Sequence, residues 1–242
     1  MRPYIDPISL RPYKPQDRGY FFKFYNGLPV TLVRHTLEDN GFREASERGQ
    51  EWTVCWACSN VKSALYQGMG RFQKVNHFPK STEITRKDHM YRHLARMREK
   101  HGEKHFPFLP TSFILPNELG RLQEEMVRRP AQKWIIKPAS SSQGKGIFIT
   151  QDAAEIPPKE QMVASVYVDD PLLIDGYKFD MRIYVALTSV EPLRIYIYEE
   201  GLVRFATQKY QPHVSTKQAK YVHLTNYSLN KNNANFHQNT DA

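Results

Sequence analysis

The sequence predicts a mixed α/β (α+β) protein, and three observations carry that prediction. From Phe179 to Thr188 apolar residues occupy every second position, which is the period of a strand. In two other stretches, Met90–Leu94–Met97 and Leu119–Leu122–Met126, they recur every three or four residues, which is the period of a helix. The 242 residues are 40% apolar and 12% aromatic, enough to bury a core.

The elements follow in order. Residues 1–19, rich in proline and charge, form a flexible tail. Tyr20–Tyr25 and Leu28–Arg34 read as strands, Thr36–Gly41 as a short helix and Trp52–Cys58 as a buried strand. Together they predict a small N-terminal α/β domain over 20–75. A central domain is expected over 76–165 and a C-terminal domain, partial in extent, over 166–242. The best helix begins near Thr85, where Thr85 and Asp88 make a capping-box pattern. Lys100 and His101 suit its last turn, and Gly102 its stop. A second helix is expected over Asn117–Arg128, with Leu119, Leu122 and Met126 inward. Trp134–Ile136, Ile147–Ile149 and Met162–Val168 are short apolar strands. Glu191-Pro192 marks a turn after the 179–188 strand, and Gly201 marks a second, so 179–206 reads as a meander. The last ten residues carry no periodicity.

Several function classes are excluded or weakened by composition. No apolar run reaches the roughly 18 residues that span a bilayer, and the first residues hold no apolar signal core. Two cysteines cannot build a disulfide framework. A protein of a reducing compartment, not bound to membrane, is the expectation. Net charge is +9 and uneven. Between Arg71 and Lys104 there are ten Lys/Arg against four Asp/Glu, and between Leu202 and Ala242 five against one. Arg92, Arg96 and Lys100 form a basic stripe on one side of the first helix. Such a field attracts an acidic partner, or is simply a solvated face. Nucleic acid is disfavoured, since no aromatic RNA-binding strand and no zinc finger is present.

Three segments hold residues suited to chemistry. Ser140–Gly146 joins two strands, with Lys137 just before it; small residues let backbone amides approach a phosphate, and Lys137 and Lys145 supply charge. The spacing is not that of a Walker loop. A flexible hairpin of this kind is how the ATP-grasp architecture covers a nucleotide, and an exposed hairpin without a ligand fits as well. Lys178, Asp180 and Arg182 share one face of a strand otherwise apolar, a costly placement unless solvated or paired. His223–Lys231 offers hydroxyls, amides and one base, which fix a ligand or form a turn. Cys55 and Cys58 make a lone Cys-x-x-Cys. His89 and His93 sit four apart without the glutamate of a metalloprotease helix. Neither pair builds a metal site alone.

Taken together these segments resemble the tubulin–tyrosine-ligase-like family. The resemblance rests on Lys74–Pro79, Thr85–Asp88, Trp134–Pro138, Lys178–Val185 and His223–Ser228, all in the family's order, and it covers roughly residues 20–235. Glu199–Thr207 looks most like the polyglutamylase branch. The resemblance implies an ATP-grasp-like ligase that joins free glutamate to glutamate side chains in the acidic C-terminal tail of tubulin, through an acyl-phosphate. Its partner would be tubulin or microtubules, and its setting the cytoplasm and cytoskeleton, including cilium or basal body; the chain itself would be a monomer.

Residue by residue, the resemblance implies that Lys137, Gln143, Gly144, Lys145 and Gly146 contact ATP phosphates. Ser165, Val166, Tyr167 and Val168 present backbone to adenine, and Lys178, Asp180, Thr225 and Asn226 also bind ATP. Arg204, Tyr227 and Ser228 receive the incoming glutamate. Gln143 faces the acceptor glutamate, where the family usually has arginine. The family's Mg²⁺ carboxylates, and one further lysine for glutamate, are expected downstream of Ala242. With those ligands outside it, the chain reads as part of an active ligase or, alternatively, as a truncated non-catalytic chain that binds tubulin.

Overall fold

The computed structural model describes residues 19–27, 30–46, 51–58, 61–212 and 220–237. Two compact units make up the chain, Met1–Thr82 and Glu83–Ala242. The tail expected over 1–19 lies outside the described residues, Gly19 excepted.

In the first unit, β1 (Tyr20–Tyr25) pairs in parallel with β2 (Phe42–Glu44) on one side and β3 (Val54–Ala57) on the other. Beyond β3 lies β4 (Lys74–Val75), also parallel. Parallel neighbours cannot be joined by a tight turn and need a crossover. Helix α1 (Thr31–Asp39) makes the crossover from β1 to β2, so the strand expected over Leu28–Arg34 is helical from Thr31; Leu28 and Pro29 lie outside the described residues. The run Val30-Thr31-Leu32-Val33, three of its four residues β-branched, reads as strand by propensity, and the topology overrides it. Gly41, with φ of 82°, ends the helix in a conformation glycine adopts without strain. Helix α2 (Ser63–Gln67) lies on the way from β3 to β4. Phe22 and Cys55 are fully buried at the centre. Burial pushes the Cys55 thiol up; Cys58 is exposed, and both thiols are free.

Helix α3 (Thr82–Thr85) starts at the last residue of the first unit, and α4 (Lys87–His101) is the first element wholly within the second. Thr85 is the last residue of α3 and Arg86 directly precedes α4, so the long helix starts one position later than the Thr85–Asp88 pattern places it. Arg86 precedes α4 without a side-chain cap, and its guanidinium takes the Asp88 carboxylate at 2.9 and 2.7 Å. Gly102 stops α4 at φ 91°. Met90 and Met97 are 41% and 42% exposed, so the apolar side of α4 is only partly covered. The basic stripe of Arg92, Arg96 and Lys100 is exposed.

An antiparallel sheet follows, built from β5 (Ser112–Leu115), β6 (Trp134–Pro138), β7 (Phe148–Thr150) and β8 (Met162–Val166) in the order β5-β8-β6-β7. Helix α5 (Leu119–Arg128) lays Leu122 and Met126 on one face, where they meet Phe113, Leu115, Trp134, Ile136, Met162 and Ala164. Burying a side chain such as Leu122 or Ile136 favours the fold by roughly 2–3 kcal/mol. The other face carries Ile135, Ile149 and Tyr167.

After β9 (Leu173–Ile174) come two long antiparallel strands, β10 (Tyr177–Val190) and β11 (Leu193–Phe205). Gly201 lies inside β11 and makes no turn, so the expected meander is one long hairpin. Its Cβ would stand 2.6 Å from the Arg182 carbonyl, beside a register shift between Ile183 and Val185. Glycine there lets the two backbones approach, which is why a turn residue sits within a strand. Two short helices, α6 (Lys220–His223) and α7 (Tyr227–Asn230), close the described chain. Among the described residues no helix is long and apolar enough to cross a membrane.

Candidate functional site

The site lies in the second unit, on the sheet face opposite α5. Side chains alternate along β6, so Lys137 shares the face of Ile135 and not that of Trp134 and Ile136. Burial lowers the Lys137 pKa, and the like charge of Lys87 lowers it further. Lys87 comes from α4 and donates to the carbonyls of Pro138 at 3.1 Å and Ser141 at 2.6 Å. Those two carbonyls bracket the start of the 139–147 loop, so Lys87 anchors it. Within the loop Gln143, Gly144 and Gly146 take left-handed φ values of 62°, 78° and 69°. Among the described residues no carboxylate pairs with Lys137.

A second lysine arrives on β10. Lys178 donates to the Tyr167 hydroxyl at 2.9 Å and lies 4.5 Å above the centre of that ring. Burial lowers its pKa to about 8, helped by the charge of Lys137 and opposed by Asp169 and Asp180. The Tyr167 hydroxyl stands 2.8 Å from Nδ1 of His223, which is buried. His223 sits between the edges of Tyr167 and Tyr210, with ring centroids at 5.4 Å in both pairs. Its pKa falls to about 4, mainly by burial and then by the charges of Lys178 and Lys133, against a smaller opposing pull from Asp169. His223 is therefore neutral at pH 7.

Asp180 follows Lys178 by two residues on β10. Arg204, opposite it on β11, donates from Nε to both carboxylate oxygens, at 3.0 and 3.2 Å, and from Nη2 to Oδ2. Burial would raise the Asp180 carboxyl, but hydrogen bonds from Arg204 and Thr225, with the charges of Arg204 and Arg182, hold it below the usual range. The loop meets the last segment at Gly144, where an added Cβ would stand 2.6 Å from Leu229 Cδ1 and 2.8 Å from Asn226 Oδ1. Asn230, 1% exposed, accepts from Thr207 N at 3.0 Å and Thr207 Oγ1 at 2.9 Å, and donates to the carbonyls of Leu224 at 2.8 Å and Asn226 at 3.1 Å. That residue ties α7 to the exit of β11.

The structure thus brings Lys137, Lys178, Asp180, Arg204, Thr225, Gly144 and Asn226 into one linked set. Gln143, Lys145 and Gly146 are exposed on the same loop. Ser165 is engaged within the sheet, its hydroxyl 2.8 Å from that of Ser112. Val166 N and Tyr167 N donate to the carbonyls of Thr111 and Lys133, while Val168 is exposed. Tyr227 rests against Phe236, and among the described residues neither it nor Ser228 bonds to Arg204. Sequence reading passed over the roles of Lys87, His223, Thr207 and Asn230. Lys87 and His223 do fall within quoted segments, but their partners lie more than fifty residues away in sequence.

The sequence model described as the Tubulin-tyrosine ligase family matches residues 64–242. The chain belongs to the tubulin-tyrosine ligase family. It is similar to three named family members in particular. It is 42% identical over 210 residues to tubulin monoglutamylase TTLL4 of Homo sapiens, covering 87% of this chain and 17% of that protein. To tubulin polyglutamylase TTLL5 of Homo sapiens it is 41% identical over 205 residues, covering 85% of this chain and 16% of that protein. With tubulin polyglutamylase TTLL13 of Mus musculus the identity is 46% over 205 residues, covering 84% of this chain and 25% of that protein. The chain therefore spans a quarter or less of the length of these family members. Its mixed α/β sheets agree with the expected fold class, and the tubulin-tyrosine ligase family has an ATP-grasp-like fold.

Proposed function

We propose that this chain carries the nucleotide-binding part of an ATP-dependent ligase that adds glutamate to glutamate side chains of tubulin tails. One observation carries the reading: Lys137 is buried near two other lysines, its pKa lowered by the charge of Lys87 while its own charge lowers that of Lys178, and it has no carboxylate partner among the described residues. Three clustered ammoniums fit a polyphosphate better than any single anion. The names of the relatives, tubulin mono- and polyglutamylases, supply the substrate class.

ATP, when bound, supplies the phosphoryl group that activates an acceptor carboxylate. Lys137 and Lys178 would hold the phosphates, with the 143–146 loop above them and Lys87 fixing the base of that loop. Tyr167 and Val168 would offer backbone to adenine, and Thr225 and Asn226 would close the other side. Arg204, Tyr227 and Ser228 would receive free glutamate, and Gln143 would face the acceptor. No group of three or more His, Cys, Asp or Glu is gathered among the described residues, and Asp180, the carboxylate of this cluster, is held by Arg204 and Thr225. The exposed Arg92–Arg96–Lys100 stripe would attract the acidic tail, and the setting would be the cytoskeleton.

Transfer of radiolabelled glutamate to purified tubulin, by the protein containing this chain, tests the reading. Incorporation that requires ATP and disappears in Lys178→Ala is expected. Incorporation that persists in that variant would refute it.

A further inference from the structure

The hydroxyl of Tyr167 is a branch point where Lys178, His223 and Tyr210 meet from other segments. Lys178 on β10 donates to it at 2.9 Å, and His223 on α6 stands 2.8 Å away through Nδ1. An ammonium only donates, so the phenol oxygen accepts from Lys178. Its single proton then goes to Nδ1 of His223, taken as the unprotonated nitrogen of a neutral ring, with the Tyr210 hydroxyl a third group against the same oxygen. His223 has the surroundings to keep that role: it is 6% exposed and enclosed by the edges of Tyr167 and Tyr210. Tyr210 is itself fixed, donating to the Asp169 carbonyl at 2.8 Å. The Lys178 ammonium also lies 4.5 Å over the Tyr167 ring.

We infer that Tyr167 is the positioning residue of Lys178: its side chain, oriented by neutral His223, holds the Lys178 ammonium charged and in place beside Lys137. This adds a side-chain role at a position expected to offer only its backbone. The groups that face Lys178 decide how much such help is needed. Lys137 opposes its charge, and Asp169 and Asp180 favour it. Asp180 is already engaged by Arg204, and Asp169 by Lys133 at 2.9 Å. Among the described residues the Tyr167 oxygen is thus the hydrogen-bond acceptor left to this buried ammonium.

The consequence for nucleotide binding rests on the proposed function; the consequence for Lys178 does not. The test is a pH titration of Lys178 by side-chain NMR in the 242-residue chain, alongside ATP titrations at pH 6, 7 and 9. Wild type is compared with Tyr167→Phe and His223→Gln. Tyr167→Phe keeps the ring and its packing and removes only the hydroxyl. Lys178 should then lose roughly tenfold or more in proton affinity, the size of a lost hydrogen bond to a charged group. His223→Gln retains an acceptor for the tyrosine proton and should move Lys178 much less. The affinity for ATP should fall at pH 7 in Tyr167→Phe and recover towards wild type at pH 6, where Lys178 is protonated regardless. A Lys178 titration unchanged in folded Tyr167→Phe would overturn the inference. A shifted titration with unchanged ATP affinity at every pH would uphold the positioning and sink the nucleotide reading instead.

Discussion

Arg204 and Asp180 stand opposite each other on β11 and β10, and the guanidinium engages both oxygens of the carboxylate. The pair joins two proposed roles, that of Asp180 toward the nucleotide and that of Arg204 toward the incoming glutamate. Arg204→Ala should therefore weaken ATP binding by only a few-fold while abolishing glutamate incorporation by the protein that contains the chain. Asp180→Asn should weaken ATP binding more than Arg204→Ala does. Calorimetric ATP titration of both variants checks the order, and the reverse order would separate Asp180 from the nucleotide.

Gly144 couples the 139–147 loop to the last segment. Alanine there meets Leu229 and Asn226 at 2.6 and 2.8 Å, at a φ of 78° that side chains disfavour. Gly144→Ala should cost about 1–3 kcal/mol. Urea unfolding measures that cost, and ATP affinity should fall with it because Asn226 is displaced.

Asn230 is a fully buried amide whose oxygen accepts two hydrogen bonds and whose nitrogen donates two, all within the fold. Replacing it with leucine orphans Thr207 and two carbonyls, for a loss of roughly 2–4 kcal/mol. Asn230→Asp should be nearly as harmful, since an oxygen would then face the Leu224 and Asn226 carbonyls. Chemical denaturation reads both.

His223 makes stability depend on pH. Its folded pKa of about 4 lies below the ordinary 6.5, so the unfolded chain binds the proton more tightly. Stability is then complete above about pH 6.5 and declines as pH falls towards 4. The single group contributes about 3 kcal/mol across that window. Urea midpoints at pH 7 and 4.5 should differ in wild type and differ less in His223→Gln.

What the sequence reveals follows from the range of the forces involved. Helix α5 and strand β10 are legible because their periods are local and long. Helix α1 is not, because a parallel β1–β2 pairing requires a crossover that β-branched residues do not announce. Gly201 misleads as a turn because glycine serves close backbone approach equally well. Lys137 and the 143–146 loop show in the sequence as small residues with two lysines between strands, a pattern that a phosphate loop and a bare hairpin share, so only the five family motifs taken in order point to a nucleotide. The anchoring of that loop by Lys87, and the Lys178–Tyr167–His223 chain, depend on contacts between distant segments that no periodicity records.

The central claim is that Lys137 helps form a nucleotide phosphate site. Its most direct test is calorimetric titration of ATP into the wild-type chain and into Lys137→Ala, with urea unfolding to establish that the variant is folded. Loss of at least tenfold in affinity in the folded variant is the predicted result. Equal affinity in the two proteins, or no ATP binding by wild type, would contradict the account.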